Sequence, residues 1–98
     1  MSKYAKIEAI LDSRSERWTP EHRFNKKRKW RFDYACIDSM VAVEIQGGVF
    51  VHGRHSGGVG QVKDMEKLNA AAAAGWKVGQ FMPSQHCELS QWLDEVIG

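Results

Sequence analysis

Two short segments, Trp30–Ala35 and Met40–Gln46, alternate large apolar side chains with small or polar ones, and only four residues separate them. Trp30, Phe32 and Tyr34 share one parity against Arg31, Asp33 and Ala35; Val41, Val43 and Ile45 share one against Ala42, Glu44 and Gln46. A period of two is the signature of extended strands with two distinct faces. A gap that short admits only an antiparallel hairpin, because a parallel return needs a crossover of about a dozen residues or more. With Asp38-Ser39 as a two-residue turn, Ile37 falls opposite Met40, Ala35 opposite Ala42, and Asp33 opposite Glu44. Directly opposed side chains have Cβ atoms about 4.5–5.5 Å apart, so two carboxylates on a half-buried face need something cationic between them. A shared proton, Arg31 on the same face, or a metal ion would serve. An oxygen-only donor set beside an open, glycine-rich loop suits Mg2+ or Mn2+ rather than zinc.

The rest of the chain brackets this hairpin with helices. Tyr4, Ile7 and Ile10/Leu11 give residues 3–12 a helical spacing. "SRSERWTP" ends it, and a first strand is expected at about Glu21–Phe24. "GGVFVHGRHSGGVG" holds six glycines in fourteen residues and reads as a loop. "QVKDMEKLNAAAAAG" is rich in helix formers and stops at Gly75, with Met65, Leu68 and Ala72 as its inward stripe. Helical arithmetic then turns Lys63 and Lys67 away from the sheet, as solvent or phosphate contacts. "WKVGQF" reads as a buried strand, and Leu89, Trp92, Leu93 and Val96 mark a last amphipathic helix. The expected order is helix, three strands, helix, strand, helix: an α/β or α+β sandwich with helices on a central mixed sheet.

At 98 residues the chain supports one core, so residues 1–98 are expected to form a single domain. No apolar run approaches the ~18–20 residues of a membrane span, and MSKYAKIEAI lacks the apolar segment of a secretory signal. Cys36 and Cys87 make neither a disulfide framework nor a metal pair, which points to a reducing compartment, the cytoplasm. Net charge is only +2, yet from Arg23 to Arg31 six of nine residues are basic and none is acidic. Lys26, Lys27, Arg28 and Lys29, with Arg31 and Arg54, suit the backbone of a nucleic acid. The alternative is a solvated turn that keeps the hairpin soluble.

An acid on one strand, here Asp33, followed by Glu44-Ile45-Gln46 on the next, resembles the PD-(D/E)XK nuclease superfamily. The wider run "EHRF…RKWRFDYA…VAVEIQGG…GRHS…DMEKLNAAAAAGWKV" is similar to small phage and bacterial endonuclease-like proteins related to VRR-NUC and very-short-patch repair endonucleases. It covers about Glu21 to Pro83. The resemblance implies a restriction-endonuclease-like α-β-β-β-α-β core and a Mg2+-dependent (or Mn2+-dependent) endonuclease acting on DNA. Its substrates would be branched or damaged DNA in phage or bacterial replication, repair or recombination. Asp33 and Glu44 would hold the metal with the backbone carbonyl of Ile45, and Glu8 on the first helix would add a further acid, a role for which Glu21 competes. Gln46 stands where the family usually has a lysine, so an uncharged amide replaces a cation. His52 and His55, shortly after the third strand, match histidines that act on the water or leaving group in very-short-patch endonucleases, with His55 the catalytic candidate. Size and resemblance together imply a homodimer on DNA. Two rivals stand beside this reading: a catalytically inactive nucleic-acid-binding protein of the same fold, and an assembly protein in which Arg31 satisfies both acids.

Overall fold

The structure, a computed structural model, describes residues 4–46 and 59–98, with side chains from residue 64 onward in the second stretch. Its elements are α1 (Ala5–Ser13), β1 (Thr19–Arg23), β2 (Arg31–Cys36), β3 (Val41–Ile45), α2 (Val59–Ala73), β4 (Lys77–Phe81) and α3 (His86–Val96). This is an α+β domain with the expected element order. The four strands lie in the order β1-β2-β3-β4, the first two pairings antiparallel and the last parallel. The β3–α2–β4 crossover supplies the parallel pair, as a connection of that length must. Among the described residues no helix is long and apolar enough to cross a membrane.

The hairpin register is the expected one: Tyr34 pairs with Val43, Ala35 with Ala42 and Cys36 with Val41. The turn residues Ile37–Met40 close on a hydrogen bond from Met40 N–H to the Ile37 carbonyl (3.2 Å), with Met40 in the left-handed region (φ 57°). Alternation along β3 then sorts the core into two layers. Val41, Val43 and Ile45 pack with Tyr34 against Ile7 and Leu11 of α1 and Leu89 and Leu93 of α3. On the opposite face, Ala35 and Ala42 are fully buried with Phe32, Ala71 and Trp76. Two alanines side by side make the shallow floor on which the Trp76 indole lies. At the open end, Arg14 ties α1 to α3 by donating to Asp94 (2.7 Å) as well as to Glu16 (2.7 Å).

Two expectations about facing need correction. Phe32 does not share a layer with Tyr34; it packs with Ala35 and Ala42 on the α2 side, so the alternation of β2 breaks between them. The break is local. In the β1–β2 register Pro20 pairs with Tyr34 and His22 with Phe32, which leaves Glu21 opposite Asp33 at the interruption. Glu21 itself takes a positive φ of 52°, a conformation costly for a residue with a Cβ. The second correction concerns α2: Ala72 and Met65 are exposed, while Ala71 is fully buried. Its inward face therefore runs through residues 67, 68 and 71, with the exposed Asp64 one turn earlier at the cavity. Val59 and Gly60, read from sequence as loop, are the first residues of α2; residues 47–58 of that stretch lie outside the described residues.

Among the glycines of the described residues, Gly79 in β4 has the least room for a side chain. A Cβ there would stand 2.7 Å from the Phe81 ring and 2.8 Å from the Trp92 indole, two rings already in contact at 5.6 Å between centroids. Gly79→Ala is expected to lower stability by about 1–3 kcal/mol through overpacking. Urea denaturation, read as a fall in midpoint at unchanged slope, measures it.

Candidate active site

The C-terminal end of β3 carries the only buried acid among the described residues, Glu44, which is 8 % exposed. Strand alternation places it on the α2 side, one step beyond Ala42. A carboxylate held there without a partner would be strongly unfavourable. Its partner is Lys67 of α2, whose ammonium donates to Glu44 Oε2. Both side chains are largely covered, at 18 % and 11 % exposure. Lys67 thus points into the sheet, contrary to the sequence expectation that it faces solvent. Helical arithmetic failed because it assumed an apolar inward face throughout, whereas a buried acid at one end of the sheet draws in a cation. The aliphatic stem of Lys67 runs beside Phe32, with Nζ 5.9 Å from the ring centroid.

Asp33 reaches the same place by a different route. The β2–β3 ladder ends at Tyr34–Val43, and the Asp33 carboxylate takes over as acceptor, receiving the Ile45 backbone N–H at Oδ2 (2.6 Å). The break in β2 is what turns Asp33 to that position. Since N–H and C=O of a strand residue point the same way, the Ile45 carbonyl faces the Asp33 side too. The two acids and Ile45 line a polar cavity of about 270 Å3 with Arg31, Gln46, Asp64, Lys67 and Gln80. Gln46 sits at its edge, its backbone N–H bonded to the Phe81 carbonyl of β4 (2.8 Å).

The remaining sequence candidates separate clearly. Arg31 rims the cavity but is directed to Glu21 (3.9 Å) rather than to Asp33 or Glu44, and the cation against Glu44 is Lys67 instead. Glu21 is exposed and is not part of the cavity. Glu8 is not brought to it either: its Oε2 accepts the Tyr34 hydroxyl (2.7 Å) on the α1 side. There it lines a separate 130 Å3 cavity with Leu11, Asp12, Trp18, Pro20 and Tyr34. Burial and then that hydrogen bond hold the Tyr34 phenol well above its ordinary pKa, so it stays a donor. Among the described residues no three His, Cys, Asp or Glu side chains converge on one point. The oxygen-bearing groups that line the cavity are the carboxylates of Asp33, Glu44 and the exposed Asp64, the amides of Gln46 and Gln80, and Ile45. His52, Arg54 and His55 lie outside the described residues, as does the side chain of Lys63.

The basic turn between β1 and β2 is ordered by its own contacts. Asn25 Oδ1 accepts the backbone N–H groups of Lys27 and Arg28, both at 2.9 Å. Arg28 lies over the Trp30 ring (4.2 Å to the centroid) and faces Glu66 of α2 at 3.9 Å. Lys26, Lys27, Arg28 and Lys29 are all exposed.

Comparison with protein-family models, with curated proteins and with solved structures finds no match for this chain. The geometry itself therefore carries the functional argument.

Lys67 and Glu44 are expected to be coupled strongly. Lys67→Met should cost roughly 1–3 kcal/mol, the penalty for leaving a largely buried acceptor without its donor. Much of that loss should vanish in a Glu44→Gln background. A double-mutant cycle by urea denaturation gives the coupling; additivity within about 0.5 kcal/mol would contradict it.

Proposed function

We propose that the protein is a metal-dependent endonuclease that hydrolyses DNA phosphodiester bonds, in the manner of the PD-(D/E)XK proteins its sequence resembles. The observation that carries this reading is the convergence of Asp33, Glu44, Ile45, Gln46 and Lys67 on one open polar cavity. The donor set fits a hard divalent cation. The Asp33 and Glu44 carboxylates and the Ile45 carbonyl, with the exposed Asp64, border a space wide enough to admit water and a phosphate oxygen, and one positive charge already stands against Glu44.

Asp33, Glu44 and the Ile45 carbonyl would hold Mg2+ or Mn2+. When bound, such an ion polarises a phosphate oxygen and lowers the pKa of its water. Lys67 supplies what Gln46 cannot: a fixed ammonium beside the carboxylates, able to stabilise charge developing on the phosphate. Gln46, at the rim, can orient water through its amide. Arg31 and the turn Lys26–Lys29 hold the backbone of the substrate without reading its sequence. Glu8, tied to Tyr34, supports the sheet beneath the site and is not among the proposed ligands. Two copies of so small a domain would present paired sites to a duplex or a branched junction, and a homodimer is part of this reading.

Linear, nicked and branched DNA incubated with the protein and Mg2+ or Mn2+ should be cleaved. Asp33→Ala should abolish cleavage while binding persists, and Lys67→Ala should lower the rate by about 10²–10³-fold, as loss of a single transition-state donor does. Binding without cleavage in either metal would favour a non-cleaving nucleic-acid-binding protein instead.

The basic turn makes a separate expectation. Replacing Lys26, Lys27 and Lys29 by Ala should flatten the plot of log affinity against log salt, each lost phosphate contact reducing the slope by roughly 0.9 on duplex DNA. An unchanged slope in a fluorescence-anisotropy titration would make the turn a solubility feature.

A further inference from the structure

Beside the carboxylate cavity, on the same side of the sheet, five aromatic rings run in sequence. Trp30 stacks near Phe24 (6.2 Å between centroids, 16° between planes) and Phe24 lies flat on Phe32 (4.2 Å, 5°). Phe32 meets the Trp76 indole edge-on (5.1 Å, 60°), and Trp76 meets His22 (5.6 Å). Core packing explains Phe32 and Trp76, which are buried. Phe24, in the turn after β1, packs partly buried against the same core, while His22 on the edge strand is half-buried beside it. Between them opens a cleft of about 410 Å3, lined by His22, Arg23, Phe24, Asn25, Lys26 and Trp76. That volume is in the range of small-molecule sites, ~300–1,000 Å3.

The cleft combines an aromatic floor with a cationic edge. Arg23 and Lys26 are exposed, and Arg23 Nη2 donates to the Lys26 carbonyl (3.4 Å), which holds the two close. Asn25 fixes the turn by accepting two backbone N–H groups, so the edge is preorganised before any ligand arrives. Phe32 joins the cleft to the proposed active site: Phe24 covers one part of its ring and the Lys67 ammonium sits 5.9 Å from its centroid.

We propose that this cleft takes an unpaired nucleobase, stacked on the half-buried His22 ring with Phe24 and Trp76 as the cleft walls, and with its flanking phosphates on Arg23 and Lys26. The aromatic faces accept any base, and the charges follow the backbone, which is the pattern by which proteins hold single strands without sequence preference. A paired base inside a duplex cannot enter. The inference rests on the nucleic-acid reading above and narrows its substrate class to DNA that is single-stranded or locally opened next to the cleavage site.

The test compares a short oligothymidylate with an oligomer of equal length and charge that carries abasic sites, in EDTA, so that no cleavage chemistry is involved. Tryptophan fluorescence and anisotropy report binding. The unmodified protein should bind the abasic strand at least fivefold more weakly, the low end of what one stacked base contributes. His22→Ala should erase most of that difference, whereas Lys26→Ala should weaken both strands alike. Equal binding of the two oligomers by the unmodified protein overturns the proposal whether or not the protein cleaves DNA. A preference untouched by His22→Ala places the base elsewhere and overturns it too. Failure to bind either strand overturns it together with the nucleic-acid reading. A base preference in a protein that never cuts supports the cleft and sinks the nuclease reading alone.

Discussion

A carboxylate on the inner face of a sheet, Glu44, sets the arrangement of everything on the α2 side. Every residue of β3 is buried, so this acid has no route to bulk water along its own strand. Removing a charge from water is expensive unless a counter-charge and hydrogen bond compensate it. Lys67 does both, and in doing so fixes the rotation of α2 about its axis. Residues 67, 68 and 71 face the sheet as a consequence, leaving Met65 half exposed. The apolar part of that face meets the two alanines, and the polar part closes the cavity.

The second acid is presented by irregularity rather than by regular pairing. Had β2 continued its alternation, Asp33 would stand opposite Glu44 as one more rung, with two negative charges in direct opposition. Instead the ladder stops at Tyr34–Val43 and Asp33 turns to the Ile45 N–H. That bond satisfies a main-chain donor that the missing rung would otherwise have left open. The same register position holds Glu21 in its left-handed conformation, so both strands deviate together. Irregular backbone concentrated beside a charged cavity is the usual place for stored strain.

The two faces of the sheet do different work. On the α1 and α3 side, aliphatic packing around Val41, Val43 and Ile45 supplies the main core, and Glu8 and Tyr34 satisfy each other at its margin. On the α2 side the packing is aromatic and small, which leaves room for a charged site and for an open cleft beside it. The polar and basic groups that could meet a polyanion therefore gather on the layer with less aliphatic core.

Much of the fold was legible in the residues: the period-two segments gave the hairpin and its register, the helix formers before Gly75 gave α2, and the order of elements followed. These are local properties, governed by side-chain periodicity and by what short connections permit. Register alone did not bring Asp33 and Glu44 to one cavity, since the ladder ends at Tyr34–Val43 and Asp33 reaches the site through the Ile45 N–H. What tertiary structure alone decided was which cation stands against Glu44 and which residues join the two acids around the cavity. Lys67 lies far along the chain from Glu44, and its inward turn defies the hydrophobic stripe of its own helix. Glu8, expected from the sequence to join the acids, bonds Tyr34 instead, because α1 packs on the opposite face. A buried charge is a property of the assembled layers, and only their packing determines which side chain answers it.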